Sequence, residues 1–224
     1  MKKTLATLLA GSALLAAGTA AAQVPEGNWL IRGRVVNIAP NESNNASGGA
    51  NGQLIGSDSI KVDNRWAPEI DITYFFTRNF ALELVLTYPQ KHDVEWSGSP
   101  LTTPPGGTLP IGDIKQIPPS LLAQYHFPLA NGWKPYVGAG VTLFYITDNN
   151  LNVNGAPILN IRSTNWGFAL QGGVDYALTK NWYLNADVKY IWVETEVTDT
   201  AGLGINSTLK VDPWVYGVGV GYRF

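Results

Sequence analysis

Residues 66–88 read Trp66-Ala67-Pro68-Glu69-Ile70-Asp71-Ile72-Thr73-Tyr74-Phe75-Phe76, then Thr77-Arg78-Asn79, then Phe80-Ala81-Leu82-Glu83-Leu84-Val85-Leu86-Thr87-Tyr88. Every second residue of the first run (Trp66, Pro68, Ile70, Ile72, Tyr74, Phe76) is apolar, and its partners include Ala67, Glu69, Asp71 and Thr73. After the three-residue turn the alternation resumes, with Phe80, Leu82, Leu84, Leu86 and Tyr88 against Ala81, Glu83, Val85 and Thr87. A period of two with one apolar face marks strands whose two sides meet different surroundings. In each run the aromatics stand at the ends of the apolar face and the aliphatics between them.

Working outward, the same alternation predicts eight strands, at about 28–38, 64–76, 80–88, 117–127, 135–145, 165–178, 182–193 and 209–224. Most are long enough for a tilted transmembrane strand, which needs about 9–11 residues. Their connections alternate. Thr77–Asn79, Pro128–Lys134 and Thr179–Asn181 are short, whereas 39–63, 89–116, 146–164 and 194–208 are long. Short turns on one side, long loops on the other and both termini on the short side describe an eight-stranded antiparallel transmembrane β-barrel, all-β, with short periplasmic turns and long outer loops.

The aromatics give an independent check. Outward-facing Trp66, Tyr88, Tyr145, Trp166, Trp192 and Trp214 gather at the outer end. Trp29, Phe76, Phe80, Phe127, Tyr176, Trp182, Tyr222 and Phe224 gather at the periplasmic end. Amphipathic rings concentrate where hydrocarbon meets headgroups, so two belts around an aliphatic band imply a membrane, where a soluble sandwich would scatter its rings through a core.

The first 22 residues read as a cleaved signal peptide: Lys2 and Lys3, a short apolar run from Leu5 to Ala17, then small residues Ala20-Ala21-Ala22. Residues 23–224 then form a single barrel domain in the bacterial outer membrane, with lipids as its surroundings. Loss of Lys2 and Lys3 from 15 basic residues, against 17 acidic ones, leaves a mildly acidic chain with no reason to bind nucleic acid. Cysteine is absent, so disulfides and thiolate metal sites are excluded. The C-terminal alternation Trp214, Tyr216, Val218, Val220, Tyr222, Phe224 resembles the signal read by the barrel-assembly machinery, an expected partner.

Eight strands enclose an interior just wide enough to be filled by side chains or to hold one small ligand. Its inward residues split by height. Arg32, Arg34, Glu69, Asp71, Glu83, Gln124, Asp175, Asn185, Asp187, Lys189 and Arg223 lie toward the periplasm and are expected to form a charge-paired polar plug. Toward the outside, Val36, Ile38, Val85, Leu122, Phe144, Ile191, Val193 and Val215 predominate, with Thr87 and Thr142. They read either as packing beneath the loops or as a hydrophobic funnel for a small apolar guest. A guest stopped by the plug would leave through the wall, and Pro118-Pro119 or Pro213 read either as places where the wall is locally unpaired or, the commoner meaning, as simple strand starts.

Residues 117–127 (Ile-Pro-Pro-Ser-Leu-Leu-Ala-Gln-Tyr-His-Phe), 134–140 (Lys-Pro-Tyr-Val-Gly-Ala-Gly), 166–176 and the closing 212–224 resemble the outer membrane protein W (OmpW) family, and the resemblance extends from about Gly27 to Phe224. It implies a hydrophobic channel open to the outside and closed toward the periplasm, and passive uptake of small hydrophobic molecules as in the family's alkane-uptake branch. The loops Asn41–Ser59 and Val94–Lys115 look peculiar to this chain.

Two rival functions are weighed against uptake. An enzyme is disfavoured. His92, beside Asp93 at the start of an outer loop, reads as a surface charge, and His126 as a hydrogen-bonded plug member. No Gly-x-Ser-x-Gly or His-Glu-x-x-His motif is present. The acids Asp148, Glu194, Glu196 and Asp199 read as solvated loop charges, and neither a metal nor another cofactor is implied. A structural or adhesive barrel without transport, whose loops touch host or phage molecules, is the second rival; its lumen should be polar from end to end.

Overall fold

A computed structural model describes residues 27–41, 43–44, 60–99, 106–153, 156–157, 159–199 and 206–224. The proposed signal peptide and most of the Asn41–Ser59 loop lie outside the described residues. Eight wall strands close on themselves: β1 (Trp29–Ala39), β2 (Arg65–Phe75), β3 (Phe80–Thr87), β4 (Ser120–His126), β5 (Trp133–Val153), β6 (Thr164–Ala177), β7 (Trp182–Asp199) and β8 (Trp214–Arg223). Each pairs antiparallel with its neighbour in sequence, and β8 returns to β1 from Leu30↔Arg223 to Ala39↔Trp214. Closure removes the exposed sheet edge and satisfies the backbone within the sheet, which hydrocarbon requires.

The surface is inverted relative to a water-soluble protein. Outward Trp66 is 71% exposed and Val218 63%, whereas inward Arg32 and Glu83 are wholly buried. The outer and periplasmic rings read from the sequence all face outward. The periplasmic belt is denser than the sequence reading had it, since Tyr125 and Trp133 also face out and Trp133 packs on Tyr176 at 4.8 Å.

Two periplasmic turns share one chemistry. In Thr77-Arg78-Asn79 the Thr77 hydroxyl accepts from the amides of Asn79 and Phe80, and in Thr179-Lys180-Asn181 the Thr179 hydroxyl accepts from those of Asn181 and Trp182. The asparagine amide then reaches the next strand end. Asn79 donates to the His126 carbonyl at 2.7 Å and Asn181 to the Arg223 carbonyl at 2.6 Å. Side chains thus add to the backbone bonds that close each turn, from the Thr77 amide to the Phe80 carbonyl and from the Thr179 amide to the Trp182 carbonyl.

The long connections need correction. Gln90–Ser99 and Gly107–Ile117 form a hairpin that pairs with β5 on one side and with Ile60–Val62 on the other. β5 runs on to Val153 and β7 to Asp199, and Asn206–Lys210 pairs with β7 beyond the membrane. The expected strand 209–224 is therefore two, broken at Val211–Pro213, and the expected strand 117–127 begins at Ser120, after the proline pair. Asp148, Glu194, Glu196 and Asp199 belong to these strand extensions rather than to loops. Glu194 meets Lys210 at 2.8 Å and Glu196 meets Arg162 at 3.7 Å, both at exposed positions.

A candidate binding cavity above a closed charge layer

The lumen is built in layers, and strand alternation decides which residues each receives. Lowest is an aromatic layer. Leu30, Phe75, Ala81 and Tyr183 cluster there, and His126 stacks on Tyr136 with ring centroids 4.8 Å apart. His126 is buried, as expected of a plug member, with Nε2 3.0 Å from the Gln124 side-chain oxygen. Gly173 leaves room for the Tyr136 ring, because a Cβ there would lie 2.4 Å from its Cζ and its hydroxyl oxygen. Arg223 lies at this level, its guanidinium 3.8 Å from the Phe75 ring centre and its Nε donating to the Gly27 carbonyl.

Above it lies the charge layer. Arg32 forks onto Asp175, at 2.6 and 3.0 Å, and also meets Glu83 at 2.9 Å and Thr73 at 2.8 Å. Arg34 meets Glu69 at 3.1 Å, Asp187 at 3.2 Å and Glu83 at 3.5 Å, and touches Asp71. Asp71 has charge contact without an aligned hydrogen bond. Lys189 bridges Glu69 at 2.9 Å and Asp187 at 3.1 Å. Amides complete the layer: Gln124 donates to Gln171, Gln171 donates to Glu83, and Asn185 donates to Asp175. The sequence reading missed Gln171, Thr73 and Tyr136, the last of which donates to Asp187 at 2.8 Å. Their inward phase was legible, but nothing in the pattern showed which side chains cross the lumen to meet.

The next layer is apolar. Val36, Ile38, Val85, Leu122, Phe144, Ile191, Val193 and Val215 join Ala67 and Ala169 in one buried cluster. The cluster divides further. Ile38, Phe144, Ile191, Val193 and Val215, with Thr87, border a cavity with an empty volume of about 870 Å³ counting its open mouth, whereas Val36, Val85 and Leu122 do not border it. Its floor is polar, formed by Glu69, Thr87, Lys189 and Ser120, the last sharing a 2.7 Å bond with Thr142. Nearer the mouth stand His92, Gln116, Asn165 and Thr195.

His92 requires a correction. It is 1% exposed and borders the cavity, not a surface charge. The reason is the unforeseen hairpin, which turns its ring inward, with Nδ1 3.2 Å from the Asp63 carbonyl oxygen and Nε2 3.2 Å from the Gln90 side-chain oxygen. Burial holds its pKa below the usual histidine value, and nearby Arg65 acts in the same direction, against the bond to Asp63.

The wall changes beside the cavity. The β3–β4 ladder stops at Val85↔Ser120, and the next two positions of that register on the β4 side are Pro119 and Pro118, which have no N–H to donate. Pro89 interrupts the other strand, and at Pro68 the Tyr88 amide makes the last bond to β2. Thr87 and Pro118, on opposite sides of this seam, both border the cavity. The break at Pro213 differs. There the Asp212 carboxylate accepts from the Val193 amide at 2.9 Å and the Ile191 amide donates to the Pro213 carbonyl at 3.1 Å, so the wall stays bonded.

An inverted eight-stranded barrel with a cavity beside a layer of buried ion pairs narrows the comparison with known proteins. The OmpW family model matches residues 25–224. The chain belongs to the OmpW family. Outer membrane protein W of Vibrio cholerae serotype O1 is 32% identical, with the whole of both chains aligned. The crystal structure of OprG from Pseudomonas aeruginosa superposes with a TM-score of 0.75 at 29% identity, covering 89% of this chain and 96% of that one. The solid-state NMR structure of the outer membrane protein AlkL in lipid bilayers gives 0.66 at 25% identity, covering 92% and 94%. This OmpW-family barrel resides in the bacterial outer membrane.

Proposed function

We propose that this OmpW-family barrel takes small hydrophobic molecules from outside into the apolar cavity and releases them sideways into the membrane at the β3–β4 seam. The observation that carries the reading is an open-mouthed apolar cavity directly above a layer of interlocked ion pairs. The upper part offers a guest removal of its apolar surface from water, worth about 25 cal/mol per Å². The charge layer offers no onward path, since opening it would separate buried charges. Thr87 and Pro118 stand where cavity and unpaired wall coincide.

The reading includes cleavage of the first 22 residues on export and insertion by the barrel-assembly machinery through the β8 alternation, and it requires no cofactor and no catalysis. Cells with and without the protein, given a small alkane-like compound and a sugar-sized hydrophilic solute, test it. Faster entry of the apolar compound alone is expected. Equal rates across a panel of apolar compounds would leave the structural or adhesive barrel as the better account.

A further inference from the structure

The cavity floor carries hydrogen-bond donors that the protein does not use. The Lys189 ammonium has three N–H groups, and two are taken by Glu69 and Asp187. Ser120 and Thr142 hold two hydroxyl hydrogens between them, and their mutual 2.7 Å bond uses one. Ser120 and Lys189 both border the cavity, and both residues are at least nine-tenths buried. At and below this floor, Glu69, Asp71, Glu83, Asp175 and Asp187 face Arg32, Arg34 and Lys189, so carboxylates outnumber cations in the layer. Above them the lining of β7 passes from Lys189 through Ile191 and Val193 to Thr195, about 20 Å along the strand at about 3.3 Å per residue.

We infer that the cavity is built for neutral amphiphiles held head-down: a carbonyl or hydroxyl oxygen accepts from the Ser120–Thr142 pair and Lys189, and the apolar tail lies along Phe144, Ile191 and Val193. The proposal rests on the uptake reading and names its substrate class. A plain hydrocarbon leaves the floor donors unmet or strips their water, which disfavours it relative to an oxygenated guest of the same length. A carboxylate meets the surplus of buried acid and is rejected, although it too offers acceptor atoms.

The full barrel in phospholipid nanodiscs, titrated with octane, 2-octanone and octanoate at pH 8, tests this by NMR, with affinities corrected for partitioning into lipid. 2-Octanone is expected to bind about three- to tenfold more tightly than octane, the size of one net hydrogen bond, and to shift resonances of Ser120, Thr142 and Lys189. Octanoate is expected to bind weakest. In the double variant Ser120→Ala, Thr142→Val the ketone-to-octane ratio should fall toward one. The ranking by the native barrel decides the matter even where that variant folds poorly. Equal binding of octane and 2-octanone overturns the head subsite and leaves the uptake reading standing. Tightest binding by octanoate overturns the charge discrimination. If none of the three shifts a cavity resonance, the uptake reading itself fails, and the head subsite with it.

Discussion

At the residue scale, Arg34 is the centre of the lumen, since one guanidinium contacts Glu69, Asp71, Glu83 and Asp187. Replacing it by methionine keeps most of the volume and leaves four carboxylates short of their shared cation. Arg34→Met should therefore lose about 3–5 kcal/mol, the cost of breaking a buried pair, read as a lower urea midpoint for the barrel in lipid vesicles. Arg34→Lys should lose less, because the charge stays and only the fork geometry goes. His92 gives a pH effect of definite sign. Its folded pKa is depressed, so its contribution is complete above the unfolded value of about 6.5 and is lost as pH falls through that value toward the folded one. Amides of Gln90–Ser99 should exchange faster as the solution is acidified below about pH 6.5, and His92→Gln should flatten that dependence. An unchanged exchange profile would show that His92 does not tie the hairpin to Asp63.

At the element scale, the ladder beside β3 stops at Val85↔Ser120 and resumes at Gln90↔Gln116, leaving a short unpaired seam. Thr87 and Pro118 are the residues that would pair if the ladder ran two positions past Val85↔Ser120, and the chain has no cysteine of its own. A Thr87→Cys, Pro118→Cys pair should close under oxidation and slow delivery of apolar guests into the membrane at least tenfold, with recovery on reduction; unchanged delivery would remove the sideways exit. The eight wall strands were legible in the sequence because each faces lipid on one side, as the Phe80–Tyr88 alternation does without exception. The hairpin of Gln90–Ser99 and Gly107–Ile117 was not. It stands beyond the hydrocarbon, so Lys91, Asp93, Asp113 and Lys115 are tolerated on it and no apolar face marks it, while cross-strand pairing, the Arg65–Asp93 ion pair and the buried Val94 and Ile111 hold it. Misreading His92 followed from that one omission. Pro118-Pro119 was visible as a break, but whether a neighbour repairs it depends on side chains such as Asp212, which repairs the break at Pro213 and has no counterpart at the other among the described residues.

At the scale of the whole molecule, the division of the lumen into an apolar upper part and a charged lower part follows from inward phase and height, both readable from strand alternation. What alternation does not contain is which side chains meet across the lumen. That is why Val36, Val85 and Leu122 were grouped with the cavity lining although they pack outside it, and why Gln171 and Tyr136 were overlooked. Uptake of apolar molecules by this barrel depends on the apolar character of the upper lumen. Its most direct test is the uptake rate of an alkane-like compound into cells carrying the native barrel or the Phe144→Asp, Ile191→Asp variant, with equal amounts of folded barrel verified in the outer membrane. At least a tenfold loss in the variant, with entry of a sugar-sized solute unchanged, is the predicted result; uptake of the apolar compound at the native rate by the variant would contradict it.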